Sequence, residues 1–149
     1  MAVYNAFVIS TLLYGSESWP AYSQQEKRLN AFHLRSLRKI LGIIWQDQAK
    51  NADILSCAGL PSMYSFLRQH RLRWVGHTHR MEHGHILKDI LYGELTQGKG
   101  PTGCPHLRFK NVEKRDLVGT KINIDSWEQL ADNQAKWRTT VHEHSGQIA

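Results

Sequence analysis

Apolar residues recur along this chain at spacings of three and four, and no run alternates apolar with polar in the two-residue period of a strand. The pattern predicts an all-α protein. Residues 1–14 read as a short helix or strand around Val3, Phe7, Val8, Leu12 and Leu13, broken from Gly15 to Pro20. Ser23 and Glu26 stand at capping-box spacing, and the helix they open should end at Leu41, before Gly42. At about 100° per residue, Leu29, Phe32, His33, Leu37, Ile40 and Leu41 share one face of it. Asn51 can cap a short helix that carries Ile54 and Leu55 and closes at Gly59. Pro61 fits the first position of a helix reaching about Met81, with Tyr64, Leu67, Trp74 and Val75 as its apolar stripe and Gly76 placed to admit another backbone. Ile86, Leu87, Ile90 and Leu91 make a short amphipathic helix before Gly93, and residues 96–106 are a Gly/Pro linker by composition. Beyond it, one helix carries Leu107, Phe109, Val112 and Leu117. A last one opens at Asp125 and Glu128, runs to about His142 and places Trp127, Leu130, Ala131, Trp137 and Val141 on one side. The expected organisation is a helical bundle over 1–95, the linker over 96–106 and a small C-terminal helical part over 107–149.

The polar positions add a bias of sign. Lys27, Arg28, Arg35, Arg38 and Lys39 fall opposite the apolar face of the helix ending at Leu41, and Glu26 is the only acid of that segment. A face that is merely kept soluble usually mixes signs. His70, Arg73, His77 and Arg80 follow one another at spacings of three and four, forming a second stripe apart from the apolar one. Over the whole chain 19 Lys and Arg stand against 13 Asp and Glu, a net charge of +6, which favours a polyanionic partner such as nucleic acid. Lys27, Arg28, Arg35, Arg38, Lys39, Arg73, His77 and Arg80 are the candidate contacts to RNA, DNA or an RNA–DNA hybrid.

Catalytic chemistry is hard to find in this sequence. No two Asp residues are adjacent, as a two-metal polymerase site would favour, and Asp53 and Asp132 read as lone solvated acids. Neither a phosphate-binding Gly-rich loop nor a nucleophile elbow occurs. His77, His79, His83 and His85, with Cys104 and His106, lack the paired spacing of a structural zinc site. His77 is therefore assigned to phosphate or base, and His79, His83 and His85 to the surface. Cys57 reads as a small buried residue at a helix end rather than a nucleophile. No catalytic residue, metal or cofactor is expected. Two cysteines make no disulfide framework and suit a reducing compartment, nuclear or cytoplasmic. No apolar run of membrane-spanning length occurs, and the apolar patch from Ala6 to Leu13 has no basic lead-in, so neither a membrane span nor a signal peptide is expected. Met1 directly precedes apolar positions, the look of a chain cut from within a larger domain.

Several strings together carry a family resemblance. They are Leu12-Leu-Tyr-Gly-Ser-Glu-Ser-Trp19, Leu37-Arg-Lys-Ile-Leu-Gly-Ile-Ile-Trp-Gln-Asp47, Ala58-Gly-Leu-Pro-Ser62, Leu72-Arg-Trp-Val-Gly-His77 with Arg80-Met81, and Leu91-Tyr-Gly-Glu-Leu95. Phe109-Lys-Asn, Asp125-Ser-Trp and Lys136-Trp-Arg138 follow. In order and spacing these resemble the region after the catalytic palm in RTE-type non-LTR (LINE-like) retrotransposon reverse transcriptases. The resemblance implies a polyprotein with an N-terminal endonuclease and a reverse transcriptase, of which this chain holds neither the endonuclease nor the palm. It also implies a thumb-like bundle that grips the template–primer backbone without catalytic residues of its own.

Three other readings stay open. The chain could be a helical protein-interaction or structural module with solvated cations, or a degenerate copy of an element. A small zinc-binding domain is the third. Clustering of the two basic stripes on one surface would favour nucleic acid, dispersal would favour the interaction module, and convergent His and Cys side chains would favour zinc.

Overall fold

A computed structural model describes residues 1–19, 22–93 and 109–145. Among these residues there are eight α-helices and no strand, as the apolar spacing predicts. The linker expected over 96–106 lies outside the described residues, as does Leu107. A π-helical stretch, Tyr4–Ile9, runs into α1 (Ser10–Leu12), and the chain turns through Gly15 in the left-handed region at φ 69°. Then come α2 (Ser23–Leu41), α3 (Asn51–Ala58), α4 (Met63–His79) and α5 (Ile86–Tyr92). The last three are α6 (Phe109–Gly119), α7 (Trp127–Asp132) and α8 (Gln134–Ser145).

The fold is organised around α4, which packs against α2, α5, α6, α7, α8 and the turn at Ser16–Ser18. Its first half lies in a core with Tyr4, Ile9, Leu13, Leu34, Leu37 and Ile54. Its second half contributes Leu72 and Val75 to another core with Leu117, Trp127, Ala131, Trp137 and Val141. A helix packed by so many neighbours buries residues around much of its circumference, Arg71 and Thr78 included, so its apolar positions do not form the single stripe the sequence suggests.

Glycine punctuation falls where the sequence puts it. Gly42 and Gly59 follow α2 and α3 with φ of 68° and 63°, a backbone state in which any Cβ is strained, and Gly93 follows α5. Helix starts differ from expectation. Gln25 Oε1 accepts from the Tyr22 N–H at 3.0 Å before α2, which leaves Glu26 free to turn inward. Lys50 precedes α3, and Asn51 Oδ1 instead accepts from Arg38 Nη2 at 2.7 Å. Pro61 lies before α4, whose first turn is capped by Ser62 Oγ accepting from the Ser65 N–H at 3.3 Å. The last helix is two: Asn133 breaks it, and its Oδ1 accepts from the N–H groups of Ala135 and Lys136, both at 3.1 Å, to open α8. Ser126, not Asp125, precedes α7.

Several apolar positions also exchange roles. In the N-terminal segment Tyr4, Ile9 and Leu13 are buried while Val3, Phe7 and Val8 are exposed, because the wider π-helical turn brings residues five apart onto one side. On α2, Leu34 is buried, and Phe32 and Ile40 are exposed. Cys57 is exposed, the buried place at that helix end being taken by Ala58.

Gly76 admits a side chain rather than a backbone. The Trp137 indole lies across it, donates from Nε1 to the Leu72 carbonyl at 2.9 Å, and occupies the space a Cβ would need. Polar groups also sit in the interior. Arg71 grips Asp116 with two hydrogen bonds, Nη2 to Oδ1 at 3.0 Å and Nε to Oδ2, and reaches Glu26 Oε1 at 3.1 Å; Arg115 joins the same Glu26 oxygen at 2.8 Å. His33, fully buried, donates from Nε2 to the Pro61 carbonyl at 3.2 Å, so its Nδ1 accepts from the Tyr4 hydroxyl at 3.0 Å. Burial holds its pKa below the ordinary histidine value, which keeps this neutral tautomer.

Three outcomes follow for stability. Gly76→Ala should cost about 1–3 kcal/mol by overpacking, read as a lower denaturant midpoint with a shift in tryptophan emission. Asp116→Ala should cost about 3–5 kcal/mol, because it leaves the Arg71 guanidinium buried without its main counter-charge. The third outcome is a pH effect. Burial pushes the Glu113 carboxyl up to about 7; Glu128 and Asp116 add to this, and Lys110 and Lys114 oppose it. A folded pKa above the unfolded one gives stability that is full at low pH and lost as pH rises through the folded value. Glu113→Gln stays neutral throughout, so urea unfolding should show it gaining on the parent between about pH 5 and pH 8. A pH-independent difference would refute that assignment.

Candidate nucleic-acid interface

The burial of Glu26 decides the charge of α2. Glu26, His33, Leu34 and Leu37 face inward, and the helix's single acid is neutralised there by Arg71 and Arg115. Lys27, Arg28, Arg35 and Lys39 are exposed on the outer side, with no acid of α2 among them. Arg38 is half-buried and fastened to Asn51. Four of the five cations predicted on this helix therefore stand in solvent.

The second stripe lines a concave surface. A groove of about 780 Å³ runs along α4, the turn around Tyr14 and Gly15, and the start of α8. His70, Arg73, His77 and Arg80 all face it, as do Trp74 and Arg138. Three arginines in the lining stand against one acid, Glu17. Arg80 is partly committed, since its Nη1 donates to the Ala131 carbonyl at 2.6 Å. His70 is half-buried beside Ser16, with Nδ1 and Oγ 3.3 Å apart, and burial lowers its pKa, with Arg73 adding and Glu17 opposing. Arg73, His77 and Arg138 are exposed. Trp74 does two things: it packs against the second core and lines the groove.

No residue of α2 lines this groove, so the two predicted stripes occupy separate surfaces. Tyr14 and Arg138 are not among the candidate contacts expected from the sequence. A signal for Arg138 was present, because it directly follows Trp137, which is 2% exposed, and the next helical position turns about 100° away from a buried neighbour. Tyr14, 86% exposed, lies in the turn after α1, directly after the buried Leu13, where no helical period could place it.

The histidines do not gather. His79 is not the surface residue expected. Its Nε2 donates to Asp132 Oδ1 at 3.0 Å, its Nδ1 lies 2.6 Å from the Tyr92 hydroxyl, and its ring packs on Trp127. These contacts tie α4 to α5 and α7. Among the described residues no three His, Cys, Asp or Glu side chains converge as a ligand set for a metal ion, and Cys104 and His106 lie outside those residues. Asp53 is exposed and Asp132 serves His79. No helix among the described residues is long and apolar enough to cross a membrane.

No protein-family model matches the chain, and no solved structure matches it. The chain is 22% identical over 152 residues to a Caenorhabditis elegans protein whose name calls it uncharacterized and transposon-derived. That similarity covers 96% of this chain and 54% of the worm protein, so the chain spans about half the length of the curated relative it matches.

Proposed function

We propose that this chain is a nucleic-acid-binding helical module of a transposon-encoded protein. In this reading it corresponds to the thumb and post-thumb region of an RTE-type reverse transcriptase. It grips the template–primer backbone and leaves the chemistry to parts of the polyprotein outside this chain. The observation that carries the reading is the outer face of α2, where Lys27, Arg28, Arg35 and Lys39 are exposed and the helix's one acid is turned into the core. Such a face suits phosphates, which give affinity and register but carry no base code. The transposon-derived relative and the string-by-string resemblance supply the context.

The separation of the two basic stripes favours a second reading, a helical interaction module whose cations are simply solvated. Salt titration distinguishes the two. Each phosphate neutralised releases condensed counterions, so binding to RNA, duplex DNA or hybrid should weaken steeply with salt. Replacing Arg35 and Lys39 together by Ala should make the log–log salt slope shallower by about 1–2 units. The loss should be alike for unrelated sequences. A folded double variant with the parent's affinity and slope would remove α2 from the interface. A parent without salt-dependent binding would leave the interaction module as the better account.

A further inference from the structure

The groove on α4 differs in kind from the α2 face. Both carry cations, but only the groove sets them beside aromatic rings in a concavity. Tyr14 lines it and is 86% exposed, more than any other described aromatic side chain, with Phe7 next at 70% and outside the groove. Trp74 lines it further in. Arg73, His77 and Arg138 line it as exposed side chains without a hydrogen bond or ion pair to another described residue. A duplex presents phosphates but keeps its base faces stacked, so it can satisfy the arginines and leave Tyr14 unused. A single strand offers both groups: a phosphodiester for the guanidinium pair and an unstacked base for the ring. The groove's volume of about 780 Å³ is in the range of small-molecule sites and has room for a nucleotide.

We propose that this groove is a single-strand subsite, in which Tyr14 stacks on a base while Arg73 and Arg138 hold the adjoining phosphate. The proposal rests on the nucleic-acid reading above and specifies which form of nucleic acid this second surface takes. The expected preference is for unpaired template or primer, without choice among bases, because every base has a π-face. Glu17, the one acid in the lining, sits by His70 and disfavours phosphate at that end, which leaves Arg73 and Arg138 as the anchors.

The test uses the full chain with a labelled oligo(dT) or oligo(U) and, separately, a blunt duplex of mixed sequence, at two salt concentrations. Tyr14→Ala should weaken single-strand binding about five- to hundredfold, the range that loss of one base stack gives, and leave duplex binding within about twofold. Tyr14→Phe should keep the parent's affinity, because the ring is what matters. Arg73→Ala with Arg138→Ala should weaken the single strand and flatten its salt slope. Arg35→Ala with Lys39→Ala should act mainly on the duplex. All these side chains are exposed, and a thermal melt confirms folding of each variant. If the parent binds neither nucleic acid, the functional reading and this proposal fall together. If the parent binds and Tyr14→Ala leaves the single strand unaffected, the subsite is refuted and the α2 reading stands. Equal losses on single strand and duplex would make the groove a general phosphate grip and also overturn the proposal. So would poly-glutamate competing as well as oligo(dT) with the same dependence on Tyr14.

Discussion

The interior of this protein turns on one arginine. Arg71, its side chain 3% exposed, lies in the middle of α4 and holds Asp116 of α6 and Glu26 of α2. Three helices thus meet at one buried guanidinium. Taking such a charge out of water is unfavourable unless it is paired, and here a two-bond grip on Asp116 and a third bond to Glu26 engage Nε and Nη2, while Nη1 is buried without a partner. A cluster of this kind contributes little net stability over a well-packed apolar one, but it is intolerant of losing a member. Its effect is geometric: α2 must present Glu26 inward, and so must present the opposite side outward. The acid-free basic face of α2 is a consequence of where Arg71 puts Glu26.

A second constraint fixes the other surface. Trp137 reaches its carbonyl partner on Leu72 only because Gly76, four residues on, has no side chain. That contact sets the start of α8 against α4 and leaves Arg138 on the wall of the groove that Arg73 and His77 also line. His79 reinforces the arrangement by joining Asp132 and Tyr92. The groove is therefore built from interior packing, and its exposed cations sit next to residues that cannot move without disturbing the second core.

The all-helical class and the glycine stops were legible because they follow from spacing and from the left-handed backbone at Gly42 and Gly59. The helix starts were less so. Ser23, Asn51, Pro61 and Asp125 each matched a helix-start pattern, but a neighbouring residue took each place; Ser62 caps with its hydroxyl, whereas Lys50 and Ser126 stand before their helices without a side-chain cap. Asn133 was missed because apolar periodicity continues across it from Trp127 to Val141, and only its cap to Ala135 and Lys136 reveals the break. The positions of His70, Arg73, His77 and Arg80 on one strip were readable from their spacing, whereas their union with Tyr14 and Arg138 needs the packing of α8. Arg71 carried a faint signal: it lies four residues after Leu67 and four before Val75, on a buried side. An isolated arginine among charged neighbours does not announce a partner 45 residues away at Asp116.

The two surfaces also differ in how far they can reach. From Lys27 to Lys39 an α-helix extends about 18 Å, over which a duplex carries on the order of ten phosphate charges, only part of them on the near side. Four exposed cations can at most neutralise four phosphates, a salt slope no steeper than about −4, well short of what tightly bound operator-reading proteins reach. An isolated grip of this size is weak and quickly reversible. Under the proposed reading, that suits a surface that holds nucleic acid while it moves. The groove has fewer free cations and adds stacking, which salt does not screen. A single strand seated there would therefore keep more of its affinity as salt rises, while the α2 face lets go. Two weak contacts of unlike salt response, one on α2 and one along the packed α4, could hold a paired and an unpaired segment of the same nucleic acid at once. The gain in occupancy would then come from their linkage within one chain rather than from either contact alone.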